Sequence, residues 1–395
     1  MNPYSEQALL SAVQELMAIE STTDNPAGLR AAYDYIKQML YDCGKALTIE
    51  EFESNGKPSL LAYRSGHRPK KFRVIFNGHL DVVPGKPNQY QAFIKDGKLY
   101  GRGAYDMKAA VVILTAVFCE FVDKVPYDLG LQIATDEEIG GMHGTLHQIE
   151  QGVLADFVIC GECGRSTDVH EIAHEAKGIA RFEVGFTGSN AHGAYPWKGD
   201  NAAAKAVAFA GTLLERYPIP TQPSQETTAS ITNMSVQGGA INQIPDNATV
   251  AVDARYVAGD PNFTDVERVA ELVKEIHPHA TITRIDDFSP PLRSNPENPL
   301  LLQLKAAAEE IEGASFSLVR RHASSDGRHY GALGGEACEF GIAGEHQHGD
   351  DEHITLDAFR HYLKTMRHFL SRTIQSEQPY PVFEDDLAVD VPTPV

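Results

Sequence analysis

His79 and Asp81 stand two residues apart in the run NGHLDVVP (77–84), where a metal-competent imidazole and a carboxylate close an apolar stretch. On an extended chain, side chains at i and i+2 share a side. Asp81 can therefore accept the second ring N–H of His79, fixing its tautomer and raising its basicity. Further acids follow at intervals: Asp106 in GRGAYDMK, Glu137 and Glu138 in TDEEIGG, and Glu162 in ICGEC. A late tract, EHQHGDDEH (345–353), offers His346, His348 and His353, and spacing does not choose among them. One histidine near each end with three carboxylate sites between is the ligand inventory of a two-metal hydrolase. Adjacent Glu137 and Glu138 would repel each other in a dry site without cations. With cations, one binds an ion and the other acts as general base; we assign Glu137 as base and Glu138 as ligand. Asp106 follows a Gly-Arg-Gly turn and opens a helical run, where a carboxylate can bridge two cations or cap the helix. His192, in SNAHGAYP, could donate to a carbonyl oxygen as it becomes an oxyanion. Arg255 in VDARY and Asn242 in AINQIPD could hold a substrate carboxylate and its polar neighbours.

These residues need elements to position them. Leu9, Leu10, Val13, Leu16 and Met17 recur at helical spacing, and a second helical run follows Pro26 through Leu40. Strand-like runs come at 58–64 and 72–77. The stretch 106–122 reads as a buried helix whose first residue is Asp106. LGLQIAT (129–135) and ADFVICG (155–161) read as buried strands bracketing a Gly-rich turn and the helix GTLHQIEQG. Strands alternating with helices predict an α/β fold with a mostly parallel sheet flanked by helices. Ligands collect beyond the carboxyl ends of such strands, where His79, Glu137, Glu138 and Glu162 all fall. From about Lys177 the pattern changes to strand, helix, two strands, helix and strand. This predicts an inserted α+β module at 178–287 within a discontinuous domain of 1–177 and 288–375. The Pro- and Asn-rich DFSPPLRSNPENP reads as the linker back, and 376–395 as a flexible tail.

The 395 residues favour about two domains. Lys plus Arg number 34 against 54 Asp plus Glu, a formal charge of −20. That excess argues against nucleic acid or an anionic membrane as partner. No apolar run approaches the roughly 20 residues that span a bilayer, and no segment reads as a secretion signal. Five cysteines without a framework pattern read as reduced thiols, so the expected location is cytoplasmic. Cys160 and Cys163 form a lone C-x-x-C, a poor zinc site and a weak redox motif.

NGHLDVVP, GRGAYDMK, TDEEIGG, Gly161-Glu162, AHGAYPWKGDNA, INQIPD, VDAR, SSDGR and EFG with a late H-x-x-x-E, taken in order, resemble one family. It is the dinuclear-zinc metallopeptidase and deacylase family of acetylornithine deacetylase, succinyl-diaminopimelate desuccinylase, aminoacylase and glutamate carboxypeptidase. The resemblance runs to about residue 372. It implies two Zn²⁺, with Co²⁺ or Mn²⁺ able to occupy the same ligands. Asp106 would bridge, His79 and Glu162 would hold one ion, Glu138 and His348 the other, and Glu137 would be the base. His348 is preferred because HGDDE follows the family's pattern. The resemblance further implies that 178–287 is a lid and possible homodimer interface, that His192 polarises the scissile carbonyl, and that Arg255, Asn242 and, more weakly, Arg328 hold the substrate. Substrates would be N-acyl amino acids or short peptides. Cys163, Ile342 and Asp351 depart from the family's usual residues without removing a ligand or the base.

Overall fold

The computed structural model describes residues 3–162, 165–238, 240–331 and 333–375. The expectations for Cys163 and for a tail at 376–395 lie outside them. Two helices open the chain, as their periodicity predicts. Ser5 caps Glu6–Met17, and Leu9, Leu10, Val13, Leu16 and Met17 are its buried stripe. Asn25 caps Pro26–Asp42, where Pro26 occupies the first turn and loses no hydrogen bond there.

The principal sheet runs in the order Leu47–Ser54, Lys57–Arg64, Leu129–Ala134, Phe72–His79, Ala155–Cys160, Glu336–Glu339, Glu171–Ala176, Leu292–Arg293, with Ser317–Arg321 pairing Glu171–Ala176. Its centre is parallel, from Leu129–Ala134 through Phe72–His79 and Ala155–Cys160 to Glu336–Glu339. Antiparallel strands flank that centre on both sides. Along Phe72–His79, Val74 and Phe76 enter one core and Ile75 the other. Each fully buried side chain of that size contributes about 1.5–3 kcal/mol. The larger core holds the two opening helices, Lys108–Phe121, Pro299–Glu312 and Leu356–Gln375. The opposite core takes Ile149 of Thr145–Glu150 and Tyr330 of Arg328–Gly331.

A second sheet is wholly antiparallel: Thr228–Gln237, Asn247–Tyr256, Gly178–Thr187, Thr281–Ser289. Ala202–Arg216 and Val266–Ile276 pack on it around Phe182, Val184, Phe209, Val250 and Leu272, a core separate from the other two.

Two expectations change, and one strand goes unpredicted. The hairpin strand Leu47–Ser54 was not legible, because its alternation is broken by three glutamates. The buried helix begins at Lys108 with Met107 as its cap residue, so Asp106 is neither its first residue nor its cap. The predicted linker carries pairing of its own: Thr281–Ser289 runs through its start, and Leu292–Arg293 pairs with Glu171–Ala176.

Candidate metal centre

The three adjacent parallel strands deliver the first ligands. His79 ends its strand opposite Ala134, Glu137 follows Leu129–Ala134 by one short turn, and Glu162 lies just past Ala155–Cys160. Beneath them is a buried polar network. Asn77 Nδ2 donates to Gln132 Oε1 at 2.9 Å and Thr145 Oγ1 at 3.1 Å, Tyr330 OH donates to Gln132 at 2.9 Å, and Thr145 OH donates to Asp326 at 2.6 Å. Such hydrogen-bonded networks fix the strand ends that carry the site.

His79 is buried, and its Nδ1 lies 2.9 Å from the Asp81 carbonyl. A carbonyl only accepts, so Nδ1 carries a proton and Nε2 is the ring nitrogen that faces the site. Nε2 lies 3.2 Å from Asp106 Oδ1, 3.2 Å from Glu162 Oε1 and 4.0 Å from Glu137 Oε2. The other carboxylate oxygen of Asp106 is 3.1 Å from His348 Nε2, and Glu138 approaches the same nitrogen at 3.3 Å. Asp106 thus stands between the two imidazoles. Two sets of possible ligands result, each with atoms within 4.8 Å of one another: His79, Glu137, Glu162 and Asp106, Glu138, His348. His348 has a φ of 60°, in the left-handed region that non-glycine residues rarely occupy and that concentrates at functional sites.

Sequence reasoning missed how these ligands are held. Asp81 lies 3.3 Å from His79 Nδ1 through its side chain, but its carboxylate is chiefly an acceptor for another loop. The Glu137 N–H donates to Oδ1 at 3.1 Å and the Glu138 N–H to Oδ2 at 2.9 Å. One buried carboxylate therefore orients a candidate ligand histidine and the Glu137–Glu138 pair together. The turn ends at Gly140 and Gly141, both at positive φ, and a Cβ on Gly141 would meet Asp326 Oδ1 at 1.8 Å. Glu352, used above only as a motif residue, is fully buried. Its Oε1 accepts N–H groups from Gly103 at 2.9 Å, Tyr105 at 3.0 Å and Asp106 at 3.2 Å, while Oε2 pairs with buried Arg102. Arg102 in turn donates to the His348 carbonyl at 3.1 Å. The only sequence signal for this was the late H-x-x-x-E itself.

Charge explains what the cluster is for. Burial opposes ionisation of Asp106, yet bonds from His348 and His79 hold it well below the carboxylate range. Burial and Asp106 push Glu162 up to about 7, and burial and Glu162 push Glu137 well above its ordinary value. Burial disfavours the charged His79 ring, but bonds to Asp106, Asp81 and Glu162 outweigh it. His348 rises to about 10 through Asp106 and Glu138. With all four carboxylates ionised, two charged imidazoles do not balance them, and divalent cations would supply the remaining positive charge. Glu138 Oε1 is buried and has no hydrogen-bond partner among the described residues. An orphaned ligand oxygen in a His/carboxylate set fits two divalent cations.

The remaining predicted residues divide. Arg255 and Arg328 line the same cavity of about 1240 Å³ as Asp106, Glu137, Glu138, Glu162 and His348. Arg328 does so from a buried position, donating to the carbonyls of Gly140 at 2.7 Å and Ser324 at 3.3 Å, with Glu137 3.8 Å away. His192 and Asn242 are brought to each other, 3.3 Å apart on the second sheet's module, and line no part of that cavity. His353 packs against Tyr100, outside both ligand sets.

Residues 75–372 match the model of Peptidase family M20/M25/M40. The chain belongs to this family. It is a metal-dependent hydrolase of amide bonds. This M20 chain is similar to succinyl-diaminopimelate desuccinylase of Hahella chejuensis, 26% identical over 378 residues that cover 91% of this chain and 95% of the relative. It is 27% identical to the Helicobacter pylori (strain Shi470) enzyme of the same name over 375 residues, 88% and 94% of the two chains. Its fold matches the aminopeptidase PepT of Bacillus cereus (TM-score 0.74, 20% identity, 93% and 99% covered) and the M20 metallo-carboxypeptidase Sso-CP2 of Sulfolobus solfataricus (TM-score 0.75, 16% identity, 93% and 99% covered). No helix among the described residues of this family member is long and apolar enough to cross a membrane.

Proposed function

We propose that this chain is an N-acyl amino acid deacylase with two Zn²⁺ ions, His79 and Glu162 on one, Glu138 and His348 on the other, and Asp106 between them; Co²⁺ or Mn²⁺ would suit the same donors. The observation that carries the reading is the approach of Asp106 to both imidazoles, 3.2 Å on one side and 3.1 Å on the other. When bound, the cations supply Lewis acidity and lower the pKa of water. Glu137 stands back from His79 at 4.0 Å, beside Arg328 at 3.8 Å, where it can take a proton from the attacking water and pass it to the departing amine. Asp81 keeps Glu137 and His79 in register. Arg255, on the strand Asn247–Tyr256, would hold the substrate carboxylate, with Arg328 on the same wall.

Residues 178–287 would act as a lid over the catalytic domain of 1–177 and 288–375. Because His192 and Asn242 lie outside the metal cavity, His192 would reach a scissile carbonyl, and Asn242 the carboxylate side of the substrate, after lid movement or from a second copy in a homodimer formed through that module. The four described cysteines, Cys43, Cys119, Cys160 and Cys338, are free, which supports a reducing, cytoplasmic setting. A dipeptidase or carboxypeptidase of the same family is the competing reading, supported by the peptidase neighbours in fold.

The test is hydrolysis of N-acetyl, N-succinyl and longer N-acyl amino acids alongside dipeptides, by metal-stripped protein with and without zinc, with E137A in parallel. Zinc-dependent deacylation lost in E137A is expected. Cleavage confined to dipeptides would transfer the assignment to the peptidase reading, and no cleavage with both ions bound would refute both.

A further inference from the structure

Two cysteines meet outside the metal cavity. Cys43 is the residue that closes the helix Pro26–Asp42, and Cys119 lies in the last turn of Lys108–Phe121. Cys119 is 1% exposed within the larger core, and half-buried Cys43 packs against that core. The two thiols are hydrogen-bonded to each other. The chain beyond them is tied as well: Lys45 Nζ donates to Asp123 Oδ2 at 2.6 Å, joining the segments that follow each cysteine. The bond from Cys119, helped by the Lys45 backbone and charge, outweighs burial and draws the Cys43 thiol down to about 6. That same bond, and then burial, push Cys119 up. The roles therefore differ: Cys43 is the reachable thiolate, and Cys119 the proton-bearing thiol behind it. Cys160 and Cys338 are not so arranged, being fully buried and entering opposite cores of the sheet. An accessible thiolate beside a second cysteine is the setting in which peroxides oxidise thiols reversibly.

We propose that Cys43 and Cys119 form a reversible oxidation site, at which hydrogen peroxide converts the pair to a disulfide that staples the two helices together. The Cys43 thiolate attacks one peroxide oxygen; an S–O bond forms as the O–O bond breaks, giving a sulfenic acid and a hydroxide that takes up the proton Cys43 had released. The Cys119 sulfur then attacks the Cys43 sulfur. The S–S bond forms, the S–O bond breaks, and the hydroxide leaves with the Cys119 proton as a second water. Two thiols have been oxidised and one peroxide reduced by two electrons. The loop so closed, from 43 to 119, contains His79 and Asp106, and a disulfide stabilises chiefly by limiting how far such a loop opens on unfolding. Neither cysteine lines the metal cavity, so the site is independent of the deacylase reading.

The test treats the full chain with hydrogen peroxide, blocks the remaining thiols with a maleimide under denaturing conditions and maps the peptides by mass spectrometry. A crosslinked peptide joining Cys43 to Cys119 is expected, reversed by dithiothreitol, with Cys160 and Cys338 still open to the maleimide. In C119S, oxidation should stop at a Cys43 sulfenic acid that dimedone traps; in C43S, Cys119 should remain a thiol. Oxidised wild type should melt about 5 °C above the reduced protein, a rise absent from C43S treated alike. Maleimide on both Cys43 and Cys119 after peroxide treatment, or dimedone on wild-type Cys43 with no crosslink, would overturn the site. A crosslink that leaves the melting temperature unchanged would overturn the staple.

Discussion

Replacing Glu352 with Gln changes one atom in a residue that touches no predicted ligand side chain, yet the structure assigns it a large effect. The carboxylate is fully buried and faces three N–H donors on one oxygen and the Arg102 guanidinium on the other. A glutamine amide offers one acceptor and one donor. If its oxygen keeps the three N–H groups of Gly103, Tyr105 and Asp106, its NH₂ confronts Arg102; if it turns over, the NH₂ confronts the three N–H groups. The first orientation is the less costly. It still leaves Arg102, 2% exposed, without its counter-charge. Breaking a buried pair from one side costs about 3–5 kcal/mol. Total stabilities of about 5–15 kcal/mol leave enough folded protein to assay. The same loop presents Asp106, so metal affinity should fall about 10- to 100-fold, as for other outer partners of ligands. Urea unfolding of the metal-free protein reads the first effect, and competition with a chromogenic chelator reads the second. A stability change below about 1 kcal/mol together with unaltered metal affinity would refute the role given to Glu352.

Three further outcomes follow from the same geometry. D81N should keep the fold but lose catalysis by at least about 100-fold, since one of the two N–H groups at 137 and 138 meets an NH₂; wild-type kcat in D81N would remove Asp81 from the site's support. His329 is buried, with Nε2 3.0 Å from the Gly140 carbonyl, and burial followed by the Arg328 charge lowers its pKa from 6.5 to about 3. Its folded value is depressed, so its contribution is complete above pH 6.5 and is lost as pH falls from 6.5 towards 3. The bound is on the order of 5 kcal/mol, and H329Q should flatten the stability–pH slope of metal-free protein over that window; an unchanged slope would contradict it. Finally, chelation should lower the melting temperature as well as abolish hydrolysis, with ions at about 100 times Kd worth about 2.7 kcal/mol; a melting temperature indifferent to added zinc would count against the ligand sets.

Much of this was legible in the chain because the chemistry falls at strand ends. His79, Glu137, Glu138 and Glu162 could be placed from their apolar runs, and the ends of three adjacent parallel strands bring them together. Asp106 was found for its residue type, but its local geometry was misread: Met107 separates it from the helix start at Lys108, freeing its carboxylate from capping. His348 was indistinguishable from His346 and His353 by spacing alone; the HGDDE resemblance preferred it, and its distances to Asp106 and Glu138 set it apart. The supports were the least legible. Arg102 meets Glu352, and Asp81 meets the 137–138 backbone, across separations that no local period encodes.

The ligand positions run from His79 near the beginning to His348 near the end, with the whole second sheet intervening. During synthesis, a nascent chain that has emerged past Glu162 already holds His79, Asp106, Glu138 and Glu162, acids with one imidazole, before Glu352 is there to pair with Arg102 and shape them. With the proposed ligands, cation capture at full strength would wait until the last tenth or so of the described chain leaves the ribosome. Thereafter each ion would tie together segments that long loops would otherwise let drift apart. The metals would then act as late fasteners of a finished sheet, and a cell short of them would accumulate chains that are folded in their core yet open at the site.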